Sequence, residues 1–136
     1  MQWDGGAVNM GFSAASKDKL YLPVDENGPS VTGQQNDKTS LYNVVKEILA
    51  IRGKEKELCA DASFEVLCSG KDKPFVYKRG SLVIMVNPGE KDIEYTADYP
   101  AIESGDYEEV YSIGRIERSG SKIVLKAQSF VMIRLK

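Results

Sequence analysis

Residues 74–87, Pro74-Phe75-Val76-Tyr77-Lys78-Arg79-Gly80-Ser81-Leu82-Val83-Ile84-Met85-Val86-Asn87, carry two short apolar-rich runs joined through one glycine. Gly80 suits a tight hairpin turn, because glycine accepts a positive φ without steric cost. The run 82–86 is apolar at every position and so predicts a strand buried on both faces, at the centre of a sheet. Working outward, short β-textured runs recur at 64–68, 93–96, 108–112, 123–127 and 129–134, punctuated by Gly70, Gly89, Gly105 and Gly120. Short strands separated by turn residues predict a mainly β fold, an antiparallel β-sandwich or Greek-key barrel.

The texture differs upstream of residue 58. Leu41, Val44, Val45, Ile48, Leu49 and Ile51 recur at helical spacing, and Asp37, Thr39 or Ser40 offers an N-cap oxygen, so one amphipathic helix is expected over 39–52. Gly53 stands where a C′ glycine would end it, and the charged stretch 54–57 is able to add a further turn. Residues 1 to about 36 are rich in glycine, proline and small polar residues and keep no period of 2 or 3.6, which reads as loop. An ordered loop of that length is uncommon inside a compact domain and is functional, disordered, or supported by something outside it.

Composition excludes several function classes. The chain has 136 residues, 42% hydrophobic and 28% charged, ordinary values for a globular protein, and no apolar run approaches the ~20 residues that span a bilayer. A net charge of −2 with no basic, aromatic-interleaved stretch argues against a nucleic-acid partner. The opening residues show neither the basic n-region nor the apolar h-region of a secretory signal. Cys59 and Cys68, in a chain with no histidine, do not form a zinc framework and read as buried or half-buried free thiols in a reducing compartment, weakly favouring the cytoplasm.

A series of motifs in order then points to a family. Met1-Gln2-Trp3-Asp4 is followed by Gly11-Phe12-Ser13 and Tyr21-Leu22-Pro23-Val24. Gln35 and Asp37 lead into Ser40-Leu41-Tyr42-Asn43-Val44-Val45-Lys46, ending at Ile51-Arg52. Leu58, Phe64-Glu65-Val66-Leu67, the paired runs at 75–79 and 82–87, and the closing Gln128-Ser129-Phe130-Val131-Met132-Ile133-Arg134-Leu135 complete the series. This pattern resembles the α-amylase superfamily, glycoside hydrolase family 13, in its α-glucosidase and oligo-1,6-glucosidase branch. There it spans the stretch from the eighth barrel strand to the C-terminal β-domain. Tyr21 stands where that branch usually has tryptophan. The resemblance implies a C-terminal fragment: residues 1–57 as the remnant of a (β/α)₈ barrel, its eighth βα loop and last helix, and residues 58–136 as the C-terminal β-sandwich domain.

The family hydrolyses or transfers α-linked glucosyl units with retention, which needs a carboxylate nucleophile and a carboxylic acid about 5 Å apart. The resemblance places those groups, with a third carboxylate, on barrel strands four, five and seven, upstream of Met1. No local pair replaces them. Glu108 and Glu109 are adjacent on an expected strand and point to opposite faces, and Asp92, Glu94, Asp98, Glu103 and Asp106 read as a solvated acidic face. Without histidine the usual serine and cysteine triads are also missing. No catalytic residue, metal site or cofactor is therefore expected in this chain.

For Gln2, Trp3 and Asp4 the resemblance implies a position lining or bracing the sugar cleft, since barrel active sites are built from βα loops. The plainer reading makes Trp3 and Phe12 apolar plugs, with Asp4 tying backbone amides in a turn. Lys78 and Arg79 read as surface residues at a hairpin end. Tyr95, Tyr99, Tyr107 and Tyr111 are either core and rim packing or the stacking platform of a carbohydrate-binding module.

The leading expectation is thus the C-terminal portion of a retaining α-glucosidase-like enzyme, with a structural, barrel-capping role and no catalysis by the isolated chain. The alternative is a non-catalytic carbohydrate-binding module with an α-glucan or oligosaccharide as ligand. The expected partner is the missing catalytic barrel. Deprived of it, the stripe containing Val44, Ile48 and Leu49 should pack on the chain's own sandwich or drive homo-oligomerisation, because large exposed apolar patches rarely stay monomeric.

Overall fold

The computed structural model describes residues 1–136, which divide into two compact units, Met1–Lys54 and Glu55–Lys136. No helix is long and apolar enough to cross a membrane.

The second unit is an antiparallel sandwich. Its strands are β1 (Glu65–Cys68), β2 (Phe75–Arg79), β3 (Leu82–Asn87), β4 (Ile93–Thr96), β5 (Tyr107–Ile113), β6 (Ile116–Ser119), β7 (Lys122–Leu125) and β8 (Ser129–Leu135). One sheet has the order β1-β2-β3-β8-β5 and the other β4-β7-β6. The mainly β, antiparallel expectation holds. β2 and β3 pair from Phe75↔Val86 to Arg79↔Leu82, so the turn falls at Gly80, whose φ is +57°. A Cβ there would also run into the Glu57 carboxylate. Two separate constraints thus select glycine at this position.

Strand alternation builds the core. Val76, Val83, Met85, Val131 and Ile133 from the five-stranded sheet meet Ile123 and Leu125 from the other sheet. Leu82 and Ile84 have the opposite parity on β3, yet they are also fully buried, as the unbroken apolar run implies. Asn87 ends this strand as a buried polar lock. Its carboxamide donates to the carbonyls of Lys91, Leu125 and Lys126 and accepts from the Gly89 amide, so both of its polar atoms are bonded.

The chain between the units' boundary and β1 is fastened to the sandwich by side chains. After a single 3-10 turn at Lys56–Leu58, Glu57 accepts from the Ser81 amide, the Ser81 hydroxyl and Arg134 Nη1, while Arg134 Nη2 donates to Glu55 at 2.6 Å. Arg79, read from sequence as a surface residue at a hairpin end, is half-buried. Its guanidinium donates to the carbonyls of Cys59, Ala62 and Ser63, because β1 and β2 bring that irregular loop within its reach. Lys78 lies 5.2 Å from the centre of the Tyr99 ring. Cys59 and Cys68 are free thiols, but Cys59 is exposed rather than buried, since it ends the 3-10 turn instead of entering a strand.

Two elements escape a periodicity reading. Strand β6 carries one apolar residue in Ile-Glu-Arg-Ser and is an edge strand held by pairing with β7, not by its own pattern. Helix α3 (Pro100–Ser104) is too short to show a period. Its signature is Pro100 at the start and Gly105 at the end, with φ +84°.

The first unit has two helices, α1 (Val31–Asn36) and α2 (Leu41–Lys54). α2 continues through Gly53, which is not among the positive-φ glycines, and stops where Glu55 turns extended at φ −90° and ψ 108°. α1 falls at the end of the region read as loop. With six residues, one of them glycine, it has no amphipathic stripe; it is set by Ser30, whose hydroxyl accepts from the Gly33 amide. α2 is capped in the same way, Ser40 Oγ accepting from Asn43 N at 3.3 Å.

Candidate functional site

The segment with Gln2, Trp3 and Asp4 lies inside the first unit, held on both sides by backbone. On one side, the Val31 and Thr32 amides at the start of α1 donate to the carbonyls of Gln2 and Trp3, each at 3.0 Å. The first amides of a helix have no intrahelical acceptor, so this extended segment supplies what α1 lacks. On the other side, the Trp3 and Asp4 amides both donate to the Met10 carbonyl, at 2.8 and 3.1 Å.

That second contact depends on an unusual backbone. Asn9, Met10 and Gly11 stand in succession in the left-handed region, with φ of 51°, 57° and 69°. A non-glycine residue in this region costs on the order of 1–2 kcal/mol. The Asn9 carboxamide donates to the Ser13 and Ala15 carbonyls at 2.8 and 2.7 Å and is buried with Met10. Gly11 packs so closely that a Cβ would lie 3.3 Å from that of Trp3.

The side chains of the three expected site residues divide by use. The Gln2 carboxamide donates to the Asp25 carbonyl at 2.9 Å and, at 3.4 Å, to that of Pro29. Asp4 Oδ1 accepts from the Gly6 amide at 2.9 Å, an Asx turn of the kind read from sequence as the plainer role. Trp3 remains 54% exposed. It lines an apolar groove of about 990 Å³ with Phe12, Leu22, Val24, Leu41, Val45 and Leu49, the last three one helical turn apart on α2. Polar side chains in the groove wall are few: Gln2, Asp25, Gln34, Tyr42 and Lys46.

A second hub joins α1 to α2. Asn43 Nδ2 donates to the carbonyls of Gln34, Gln35 and Asp37, and Gln34 Oε1 accepts from the Tyr42 amide. Asp37 accepts from the hydroxyl and then the amide of Thr39, which hold its carboxyl below the usual carboxylate range. Asn9, Ser30 and Asn43 were not singled out by sequence reasoning. The available signals were an Asn two positions before Gly11 in a loop, and serine ahead of each short helix.

On the β unit, the four tyrosines form no common platform. Tyr95, Tyr99 and Tyr107 pack against the core, and Tyr111 lies 6.3 Å from Phe130, ring centre to ring centre. Burial raises the hydroxyl pKa of Tyr95 and Tyr99. The exposed aromatics sit elsewhere: Phe64 and Phe75 flank Tyr77 at 5.1 and 5.2 Å.

With this geometry in hand, similarity to known proteins becomes specific. Trehalose synthase/amylase from two strains of Mycobacterium tuberculosis is 28% identical over 135 residues, covering 85% of this chain and 22% of that protein. The chain is homologous to this trehalose synthase/amylase over that stretch. Among solved structures, an isomaltulose synthase of Erwinia rhapontici, in complex with sucrose, superposes with a TM-score of 0.76 at 19% identity, covering 99% of this chain and 24% of its own. The trehalulose synthase of Pseudomonas mesoacidophila gives 0.76 at 18% identity, with the same coverage. No family model matches. The fold of these two synthases therefore extends over nearly the whole chain, while the chain spans under a quarter of the length of these relatives. The second unit, with eight antiparallel strands in two sheets, is consistent with a C-terminal β-sandwich domain.

Proposed function

We propose that this polypeptide acts as the C-terminal portion of a retaining α-glucosidase-like enzyme. Residues 1–57 contribute the last βα loop and helix of a barrel, and residues 58–136 a β-domain that caps it. The reading rests on one observation above others: likeness along 99% of this chain is confined to 24% of the solved enzymes. The unfilled apolar groove beside α2 supports it, because a helix that follows a barrel strand buries its stripe on that strand. The relatives' names point to α-linked disaccharides such as sucrose and trehalose as the substrate class, with the catalytic carboxylates supplied by the barrel. Gln2, Trp3 and Asp4 would then border the sugar-facing loop, Trp3 offering a ring and the other two bracing its backbone.

The test is to assay the purified chain for product release from sucrose, trehalose, maltose and isomaltose, following binding of maltooligosaccharides by calorimetry. Silence in both is the expected result. Turnover by the isolated chain would sink the proposal. Binding without turnover, abolished by Phe64→Ala with Phe75→Ala, would favour a carbohydrate-binding module built on that exposed aromatic strip.

A further inference from the structure

We propose that Asn9 is the positioning residue of this loop, acting through the Met10 carbonyl on Trp3 and Asp4. The inference rests on reading the Met1-Asp4 segment as part of a sugar-facing loop, and it names the residue that fixes its geometry.

Met10 has no intrinsic preference for a left-handed backbone, whereas asparagine tolerates it. What holds the run in place is the buried carboxamide of Asn9. Both of its N–H donors are used, on the Ser13 and Ala15 carbonyls, and this draws the chain after Gly11 back under residue 9. The resulting turn aims the Met10 carbonyl at two amides at once. Those amides belong to the exposed ring and to the carboxylate side chain of the segment. Neither Trp3 nor Asp4 is hydrogen-bonded to Asn9, so the influence is indirect and passes through the Met10 carbonyl. The opposite edge of the segment is held independently by α1, which provides an internal reference.

The experiment is hydrogen exchange of individual amides in the full 136-residue chain, comparing the unmodified protein with Asn9→Asp and Asn9→Gly. Aspartate keeps the size and the left-handed tolerance but presents a carboxylate to two carbonyl oxygens. Glycine keeps the backbone freedom and has no donor. At neutral pH both variants should lose protection at Trp3 and Asp4, while the Val31 and Thr32 amides at the opposite edge and the Ile84 and Met85 amides of β3 keep theirs. Lowering the pH should restore protection in Asn9→Asp alone, since a protonated carboxyl regains one O–H donor. Burial against two carbonyls raises that carboxyl's pKa, so recovery should begin above the ordinary value of about 3.9.

Protection retained at Trp3 and Asp4 in either variant would overturn the proposal, as would an equal loss at Val31 and Thr32 or in β3, which marks general destabilisation. Absence of a pH-dependent recovery in Asn9→Asp would also overturn it. Turnover by the isolated chain would defeat the proposed function and leave these exchange rates unaltered, so the two failures are distinguishable.

Discussion

The two units bury their side chains very differently. In Met1–Lys54 the only buried residues are Asn9, Met10 and Ser30, two of them polar. In Glu55–Lys136 the central strand is buried on both faces, and Ile102, Ile123 and Leu125 close the space between two sheets. Hydrogen bonds fix the path of a chain but contribute little net stability, because water offers equivalent partners to the unfolded state. Burial of apolar area supplies the larger driving force, roughly 25 cal/mol per Å². The first unit therefore has a defined conformation without a core of its own, and the second has both.

The contrast breaks most visibly at β3. Ile84→Ala removes a fully buried side chain and should cost about 2–5 kcal/mol in urea unfolding followed by the far-ultraviolet signal. A cost below about 1 kcal/mol would show the second face of the sheet to be loosely packed. Gly80→Ala comes next, at roughly 1–3 kcal/mol by the same measurement, since alanine must adopt φ +57° and displace the Glu57 carboxylate. Arg134→Ala should cost about 1 kcal/mol: it frees Glu55 and Glu57, but all three side chains keep 22–31% exposure, and solvent screens the loss.

The first unit should answer in the opposite sense. Replacing Leu41, Val45 and Leu49 together with serine leaves unfolding of the sandwich within about 0.5 kcal/mol, because these side chains are exposed. The expected stripe of Val44, Ile48 and Leu49 has its first two members half-buried, so if the exposed face of Leu41, Val45 and Leu49 drives self-association, the same change should move the sedimentation coefficient toward that of a monomer. A chain already monomeric before substitution would remove that expectation.

The smallest effect concerns pH. The hydrogen bond from Lys126, then that from the Ala127 amide, lowers the Asp92 carboxyl below its ordinary value. A depressed folded-state pKa stabilises above the unfolded value and loses that contribution as pH falls through the folded one. Acid unfolding monitored between neutrality and pH 2 should thus begin slightly earlier in Asp92→Asn than in the unmodified chain. Because the carboxyl is exposed, indistinguishable curves would assign the Lys126 pair no role in acid stability.

Much of the sandwich was legible in sequence for the same reason that it is stable. The unbroken run at 82–86 admits one placement, the centre of a sheet, and Gly80 marks its turn. The helix was legible from Leu41, Val45 and Leu49, although its end was not: a glycine at 53 is a stop signal only when the backbone turns left-handed there, and it does not. Strand β6 and Arg79 were unreadable because their state is set by a neighbour, β7 in one case and the loop carbonyls of Cys59, Ala62 and Ser63 in the other. At the candidate site, Gln2, Trp3 and Asp4 were marked by a motif, while Asn9 and Ser30 carried no period, only the local signals of an asparagine near a loop glycine and a serine ahead of a short helix.

By itself, then, the sequence determined the β class, the hairpin, the helix and the superfamily likeness, because each depends on residue type and local spacing. Only the tertiary structure decided which amides meet the Met10 carbonyl, which carbonyls Arg79 gathers, and which apolar side chains line an open groove. These are meetings outside any regular repeat, and local spacing carries no information about which groups will share a position in space.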